Sequence, residues 1–325
     1  MVDLVYGRGI TDIVREIPLY FDLLTKIIGI KVFHSKPVIY GSADIINVCN
    51  LHCSHCYWWL NRKEENQDLS VIEWRQTIRR TFKKQHVMYV TLVGGEPTIR
   101  PEIIKVFCEE MPRRVCVVTN GYFPLIRYRN LYFYWISLDG TQKAHDSIRG
   151  KGSYAKTKEN ILEYIKRPVR NGKPAWKDIW LTMTINTQNY STAIDLAEEW
   201  HGKVNKIGYQ FHTPFMKGDP LWLEFGEKRN DIVNNLVDLR RKYPEFVINS
   251  EKQLLLMKGN WGGIGTTPVQ CPSWAILSLD HMGRIKQPCC IGRHEGIKAN
   301  LRRLWPWMLL RTGCKWNSWR LVKLS

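Results

Sequence analysis

Residues 49–57 of this chain read CNLHCSHCY, and within them Cys49, Cys53 and Cys56 are spaced C-x3-C-x2-C. Three thiols this close on one loop can converge on a small inorganic centre. They do not suit a disulfide framework, because an odd trio leaves one thiol over and the bridges would be too short. Ligation by thiolates alone is typical of iron–sulfur clusters. Three protein ligands on a cluster of four irons would leave one iron for a ligand that is not protein.

A zinc knuckle is the alternative interpretation of the same loop, with His52 or His55 as a fourth ligand. Structural zinc sites usually show two spaced pairs of ligands, and no second pair follows within the usual distance. The nine residues alone therefore leave both kinds of site open, and the rest of the chain has to decide between them.

Length and composition indicate a globular enzyme that works in a reducing compartment. The 325 residues are enough for one large domain with a modest extension, and 44% apolar with 24% charged residues is ordinary for such a protein. Nine cysteines without a secretory signal favour the cytoplasm, where clustered cysteines bind metal more often than they pair. We therefore expect a cytoplasmic location.

The formal net charge of +18 is high. It favours a nucleic acid, an anionic membrane surface or an acidic peptide as partner, or else it reflects a solvated basic surface. No apolar run approaches the 18 residues that a bilayer-spanning helix requires, so we do not expect a spanning segment.

The pattern over residues 11–30 predicts an amphipathic helix. Apolar residues recur there at a spacing of three to four, namely Ile13, Val14, Ile17, Phe21, Leu24, Ile27 and Ile28. Pro18 would bend this helix or divide it. Such a helix either packs on its own domain or lies on a membrane surface, which would make the protein a peripheral membrane contact.

From Pro37 onward, strand and helix patterns alternate. We predict strands over 38–48, 87–93, 115–119, 132–138, 180–185 and 206–211, and helices over 70–84, from 101, and over 154–166, 191–200 and 231–243. Six such units in series indicate an α/β fold with parallel strands and right-handed crossovers, hence a barrel or part of one. The expected segments are 1–36 (amphipathic helix), 37–250 (core barrel) and 251–325 (a small Cys-containing extension with a basic, Trp-rich tail).

Polar motifs fall where the predicted strands end, which is the edge that carries the functional site in barrels of this type. After the cysteine loop come Gly94-Gly95-Glu96-Pro97, Val118-Thr119-Asn120-Gly121, Ser137-Leu138-Asp139-Gly140 and His145-Asp146-Ser147-Ile148-Arg149-Gly150. These motifs, in this order and at these spacings, resemble the radical SAM superfamily over residues 39–290. They are most similar to the branch whose members often carry a C-terminal SPASM or twitch extension.

The resemblance implies a partial (β/α)6 TIM-type barrel in which Cys49, Cys53 and Cys56 hold a [4Fe-4S] cluster. S-adenosylmethionine would chelate the open iron, and its reductive cleavage would yield a 5′-deoxyadenosyl radical that abstracts hydrogen from the substrate. The implied partners are a low-potential electron donor such as ferredoxin or flavodoxin, and a peptide or protein substrate, with a lipid or an RNA as alternatives.

Candidate residues for binding S-adenosylmethionine follow from the same motifs. Gly94 and Gly95 permit close backbone approach, Pro97 fixes the exit, and Glu96 or nearby carbonyls could accept from the methionine ammonium. By resemblance, Ser137 and Arg149 contact the cofactor, with the arginine fork on its carboxylate. Three further candidates come from the same resemblance. Tyr57 lies beside His55, which occupies the position where the family usually has an aromatic residue near adenine. Asn120 could bind the ribose or cap a helix, and Asn186 could bind the ribose.

A second group of cysteines, comprising Cys271, Cys289, Cys290 and Cys314, resembles the opening of a SPASM or twitch module. One auxiliary iron–sulfur cluster and a plain cysteine-containing cap are both open, because Gly283 and Cys289 enclose five residues where the family has four. Cys108 and Cys116 are predicted to be small core hydrophobes. The Trp-rich residues 300–325 suit a nucleic-acid or membrane contact, or a helix packed under the barrel.

The competing hypothesis from another class is a non-catalytic protein that binds zinc or nucleic acid through its cysteine loop, its positive charge and its Trp-rich tail. That hypothesis leaves the GGEP motif, Ser137 and Arg149 without a function. We therefore expect a radical SAM enzyme.

Overall fold

The structure, a computed structural model, describes residues 10–61, 67–170, 172–214, 218–258 and 273–286. Its centre is a sheet of seven parallel strands in the order β6-β5-β4-β3-β2-β1-β7. The strands are β1 (Tyr40–Asp44), β2 (Tyr89–Val93), β3 (Val115–Thr119), β4 (Leu131–Ser137), β5 (Ile179–Ile185), β6 (Lys206–Phe211) and β7 (Ile276–Leu279). Within the described ranges β6 and β7 form the two edges and do not pair, so the barrel is open, as the sequence predicted.

Helices lie between most successive strands, except between β3 and β4, and cover the outside of the sheet. They are α1 (Ile10–Phe33), α2 (Tyr57–Asn61), α3 (Val71–Ile78), α4 (Pro101–Glu110), α5 (Gln142–Arg149), α6 (Ser153–Ile165), α7 (Ala193–Trp200), α8 (Glu227–Lys242) and α9 (Glu251–Leu256). A π-helical turn at Arg79–Lys83 continues α3. Ser70 is the N-cap of α3 and forms a capping box: its hydroxyl accepts from the backbone N–H of Glu73, and the Glu73 carboxylate accepts from the Ser70 backbone N–H.

The apolar core lies between the sheet and these helices. Leu92, Ile136 and Ile207 of the strands are fully buried, as are large side chains of the surrounding helices such as Trp74 and Trp200. Cys108 and Cys116 are buried in α4 and β3, which confirms their predicted place in the core. The helix–sheet contact fixes the strand ends, and with them the loops that carry the polar motifs.

Two expectations need correction. The sequence predicted six strands, but the described chain has a seventh, β7, which pairs in parallel with β1 although its residues fall in the segment assigned to the extension. Its four residues, three of them apolar, are too short a run to show a periodicity. Pro18 does not divide the N-terminal helix, because α1 runs continuously from Ile10 to Phe33.

Candidate functional site

The loops that follow the strands meet at the carboxyl edge of the sheet. Because all neighbouring strands are parallel, the ends of β1 to β6 lie at one edge. The structure therefore brings together the loop of residues 45–56 and the predicted residues Gly94, Gly95, Glu96, Pro97, Asn120, Ser137 and Asn186.

The two glycines of GGEP let the β2 loop lie directly against the cysteine loop. The Gly95 N–H donates to the carbonyl of Ile46 at 3.0 Å, and the Glu96 N–H donates to the carbonyl of Val48 at 2.8 Å. A Cβ on Gly95 would lie 1.9 Å from Val48 O, and Gly94 has a φ of +122°. Close backbone approach was predicted, and the surface approached is the segment that leads into Cys49.

Glu96 is buried and binds the end of β3. Its Oε1 accepts from the Thr98 N–H at 3.0 Å and from the hydroxyls of Thr98 and Thr119 at 2.6 Å, while Oε2 accepts from the Asn120 N–H at 2.8 Å. Burial raises the pKa of Glu96, and these donors act in the opposite direction by stabilising the carboxylate. The carboxylate is thus already bound by protein groups, and the backbone carbonyls of the motif are better placed to accept from a ligand ammonium.

Asn120 connects β3 to the cysteine loop. Its Nδ2 donates to Asn50 Oδ1 at 2.9 Å and lies 4.0 Å from Cys49 Sγ, while its Oδ1 accepts from the Tyr122 N–H. The side chain therefore supports the loop that carries the first thiol. It does not cap a helix, because the described chain has no helix between β3 and β4.

Asp139 and Arg149 form a buried ion pair behind the second thiol. Arg149 Nε donates to Asp139 Oδ2 at 2.6 Å, and Arg149 Nη1 lies 3.9 Å from Cys53 Sγ. Asp139 Oδ1 accepts from the Thr184 N–H at 3.0 Å. Burial has the largest single effect and raises the pKa of the Asp139 carboxyl, but the charge of Arg149 and the other groups around the carboxylate, including the Thr184 N–H, together lower the pKa to about 2. The pair is therefore ionised at neutral pH.

Two histidines border this pair. His145 is fully buried, and its Nδ1 accepts from the Asp139 N–H at 3.1 Å. Burial lowers the pKa of His145 to about 3 and that of His55 to about 4, so both rings are neutral at pH 7. His55 Nε2 lies 3.8 Å from Asp139 Oδ2. His145 therefore orients Asp139. In the sequence, the only sign of a role for His145 was that it lies in the same motif as Arg149.

The three thiols sit in a poorly solvated pocket. Burial raises the pKa of Cys49 to about 12 and also raises those of Cys53 and Cys56. The thiols can lose their protons at neutral pH only if a positive charge, such as that of bound iron, stabilises the thiolates. Among the described residues no three His, Cys, Asp or Glu side chains converge on a point that could hold one metal ion.

Asn186 has a donor directed to no protein group. The residue is fully buried after β5, and its Oδ1 accepts from the Gln188 N–H at 2.8 Å. Within the described chain its Nδ2 has no hydrogen-bond partner. Buried polar groups are nearly always paired, so an orphaned amide at this edge fits a bound ligand.

Ser137 and Tyr57 lie half-buried at the same edge. Ser137 ends β4 opposite Thr182 of β5, and Tyr57 begins α2 immediately after Cys56 with its ring edge-on to Trp58. Their cofactor contacts stay predictions. Cys271, Cys289, Cys290 and Cys314, and the tail 300–325, lie outside the described residues, and so does the predicted auxiliary cluster.

The sequence reasoning missed a histidine–aspartate pair after β6. His212 Nε2 lies 2.9 Å from Asp219 Oδ2, and the His212 ring is edge-on to His55 with 6.4 Å between centroids. Each of the other five predicted strands ends at a candidate site residue. His212 follows Phe211, the last residue of β6, so its position at the end of the sixth strand could have identified it.

The comparison with protein families decides the identity of this site. The family model described as the radical SAM superfamily matches residues 44–199, from the end of β1 to α7. The chain belongs to the radical SAM superfamily. The match includes all three cysteines of the loop and the residues that contact them, from Gly94 to Arg149.

Curated relatives of this radical SAM protein are named for different activities. The Fe-coproporphyrin III synthase of Methanosarcina barkeri is 25% identical over 285 residues, which cover 74% of this chain and 67% of that protein. The mycofactocin maturase MftC of Mycobacterium ulcerans is 31% identical over 121 residues, 34% of this chain and 32% of that protein. The chain thus spans only about a third of the maturase.

Among solved structures, SuiB of Streptococcus suis bound to the precursor peptide SuiA has a TM-score of 0.58 at 16% identity, and covers 81% of this chain and 62% of that one. At this identity the likeness concerns the fold alone. It confirms the α/β architecture with an open, parallel sheet, the fold that the sequence predicted.

Radical SAM proteins use a [4Fe-4S] cluster and S-adenosylmethionine, and the residues present fit both groups. Three thiols share one edge with the orphaned Asn186 amide, and the remaining guanidinium donors of Arg149 lie beside Cys53. Cys49, Cys53 and Cys56 are the residues that would hold the cluster.

Proposed function

We propose that this chain reductively cleaves S-adenosylmethionine at a [4Fe-4S] cluster held by Cys49, Cys53 and Cys56, and so removes hydrogen from a peptide or protein. When bound, the cluster supplies the electron that breaks a carbon–sulfur bond, and the 5′-deoxyadenosyl radical that results removes the hydrogen atom. The observation that carries the proposal is the meeting of the cysteine loop, GGEP and the Asp139–Arg149 pair at one sheet edge.

The chain's own residues position and shield the two groups. Arg149 is held by Asp139 and can direct its other N–H donors at the carboxylate of S-adenosylmethionine. The carbonyls of Gly94–Pro97 accept from the methionine ammonium, and the Nδ2 of Asn186 donates to a ribose hydroxyl. Ser137 and Asn120 line the same edge, and Tyr57 borders the adenine.

The names of some of the relatives, although not that of the Fe-coproporphyrin III synthase, support a peptide or protein substrate. MftC is named a mycofactocin maturase, and SkfB of Bacillus subtilis, 27% identical over 48% of this chain and 38% of its own length, is named a sporulation killing factor maturation protein. SuiB was solved with a precursor peptide. We further propose that a low-potential electron donor such as ferredoxin or flavodoxin reduces the cluster.

Anaerobic reconstitution with iron and sulfide tests the cofactor assignment. The wild-type protein should hold about four irons per cluster and should release 5′-deoxyadenosine when dithionite and S-adenosylmethionine are added. Cys53→Ala should lose iron and all cleavage. Cys108→Ala, which alters a buried thiol in α4, is the matched control and should retain both. Cleavage that persists in Cys53→Ala would refute the proposal.

A protease treatment tests the substrate class. Host extract that stimulates release of 5′-deoxyadenosine is divided, and one half is digested with a protease that is then removed. A peptide or protein substrate predicts that digestion abolishes the stimulation. Stimulation that survives digestion but is lost on extraction with organic solvent would instead indicate a lipid.

A further inference from the structure

The helix α1 contacts the domain through the side that carries Asp22 and Lys26. Lys26 Nζ donates to the carbonyls of Gln85 at 2.9 Å and His86 at 2.8 Å, and it pairs with Asp22 at 2.9 Å. Asp22 and Lys26 are half-buried, as expected for residues that face the protein. Leu19, Leu23 and Ile30 are half-buried on the same side of the helix, so the side that faces the domain carries both polar and apolar residues.

The opposite side of α1 is an exposed apolar stripe. Phe21 is 67% exposed, Leu24 53% and Val32 62%. At 100° per residue these side chains share one side of the helix with other exposed residues, and together the stripe comprises Ile17, Tyr20, Phe21, Leu24, Ile27, Ile28 and Val32. Contiguous apolar surface of this extent marks a contact with a partner or a membrane.

The stripe lies at the amino-terminal edge of the sheet. Gln85 and His86, which hold Lys26, come shortly before β2, and the end of α1 leads through residues 34–39 into β1. The cysteine loop and the other site residues follow the strands and lie at the carboxyl edge. The exposed apolar stripe and the candidate site are thus at opposite edges of one sheet.

The amino-terminal edge is strongly basic. The segments 34–39, 83–88, 111–114, 127–130, 166–178 and 201–205 lead into β1 to β6, and they contain thirteen Lys and Arg residues against a single acidic residue, Asp178. That carboxylate is nearly buried and already bound by Arg127 at 3.2 Å and Lys173 at 2.6 Å. Two exposed apolar residues, Val169 and Trp176, lie among these cations.

The carboxyl edge lacks this charge. Residues 45–56, which contain the cysteine loop, include no Lys, Arg, Asp or Glu, and residues 94–99 include only Glu96. Among these described segments, the cationic groups are therefore concentrated at the edge that also bears the apolar stripe. An apolar stripe beside dispersed cations is the pattern of interfacial helices that bind anionic lipid.

We propose that α1 and the amino-terminal edge of the sheet dock on an anionic bilayer surface. The stripe would enter the boundary between headgroups and acyl chains, and the cations would contact acidic headgroups. Docking requires no spanning segment, and among the described residues no helix is long and apolar enough to cross a membrane. Charge complementarity favours a lipid surface over a second copy of this chain, since two basic edges would repel each other.

The docking fixes the orientation of the site, a consequence that rests on the proposed function. With the amino-terminal edge on the bilayer, the carboxyl edge and its cysteine loop face the aqueous side. A water-soluble peptide can therefore reach the site while the enzyme stays on the membrane.

Vesicle flotation with the reconstituted full chain tests the docking. Binding is measured to phosphatidylcholine vesicles with and without phosphatidylglycerol. We expect binding only to the anionic vesicles, weakened in about 1 M salt because the screening length falls to about 3 Å. The pair Phe21→Ser and Ile28→Ser should weaken binding at least about ten-fold, and the pair Lys84→Glu and Arg129→Glu should also weaken it. The matched control, Ile72→Ser, alters a 70% exposed residue on α3 and should bind as the wild type does.

Three outcomes would overturn the proposal. One is equal binding, or none, to the two kinds of vesicle. The second is vesicle binding unchanged by the stripe variant, provided that its thermal unfolding matches the wild type. The third is a dimer, seen by light scattering, that dissociates in the stripe variant without any vesicle binding. Dithionite-driven cleavage of S-adenosylmethionine is measured in parallel, so that a failure of the proposed function is distinguished from a failure of docking.

Discussion

Arg149 Nε donates to the carboxylate of Asp139 at 2.6 Å, and Nη1 of the same guanidinium lies 3.9 Å from Cys53 Sγ. Both side chains are buried, with 9% of Arg149 and none of Asp139 exposed. Arginine carries five N–H donors, and the bond to Asp139 uses only one edge of the group. The arginine that we propose binds the cofactor carboxylate is therefore itself positioned by a carboxylate of the chain.

Removing the charge of Asp139 should destabilise the fold. Asp139→Asn leaves the buried Arg149 without its counter-charge, and breaking a buried ion pair on one side costs about 3–5 kcal/mol. The free energy of unfolding in urea measures this cost. Glu102→Gln is the matched control, because it breaks the exposed pair with Arg100 and should cost less than about 1 kcal/mol. Equal costs for the two variants would show that the Asp139 pair contributes little.

Replacing Arg149 by lysine should separate cofactor binding from cluster binding. Arg149→Lys keeps a positive charge for Asp139 but loses the planar fork. We expect S-adenosylmethionine to bind about ten-fold or more weakly, since a charged hydrogen bond contributes about 1.5–3 kcal/mol. Iron content should stay at the wild-type level. Calorimetry on the reconstituted protein gives the affinity, and a loss of iron would assign Arg149 to the support of the cysteine loop instead.

A methyl group on Gly95 should displace the cysteine loop. The added Cβ would lie 1.9 Å from Val48 O, and a backbone atom cannot move aside as a side chain can. Overpacking costs about 1–3 kcal/mol, and here it should also lower the iron retained after reconstitution. Gly202→Ala is the control: its φ of +76° strains an alanine, yet its Cβ meets nothing within 4 Å. Iron content should fall in the first variant and persist in the second.

The parallel sheet was predictable because its signals are local. Alternating strand and helix patterns give the order of elements, and the polar motifs mark the strand ends. The hydrogen bonds from Thr119 and Asn120 to Glu96 were not predictable, because these residues approach Glu96 only after β2 and β3 pair. Strand β7 was missed because its partner β1 lies more than two hundred residues away in sequence.

The orientation of the N-terminal helix α1 could not be predicted from the sequence either. Its periodicity predicts an apolar side and a polar side, but not which of them faces the domain. That depends on Lys26 reaching the carbonyls of Gln85 and His86, about sixty residues further along the chain. The functional consequence of α1 therefore appears only in the three-dimensional structure.

Glu110, at the end of α4, should make stability depend on pH in the acid range. Its carboxylate accepts from Arg79 at 2.7 and 2.9 Å, from Arg75 at 2.9 Å and from Lys83 at 3.2 Å. The bonds from Arg79 act most strongly, and together these cations lower the pKa of Glu110 to about 2 from its ordinary value of 4.5. The stabilisation is therefore complete above about pH 4.5 and is lost as the pH falls toward 2.

Glu110→Gln should cost about 1–2 kcal/mol at pH 7, because the partner side chains are partly exposed and solvent weakens the pairs. The difference in unfolding free energy between wild type and variant should shrink steadily below about pH 4.5, since protonation removes the same charge from the wild type. Urea unfolding at several pH values measures it. Glu159→Gln breaks only the exposed pair with Lys156 and should show a small difference at every pH. A large Glu110 difference that persists at the lowest pH would mean that packing, rather than charge, makes this side chain stabilising.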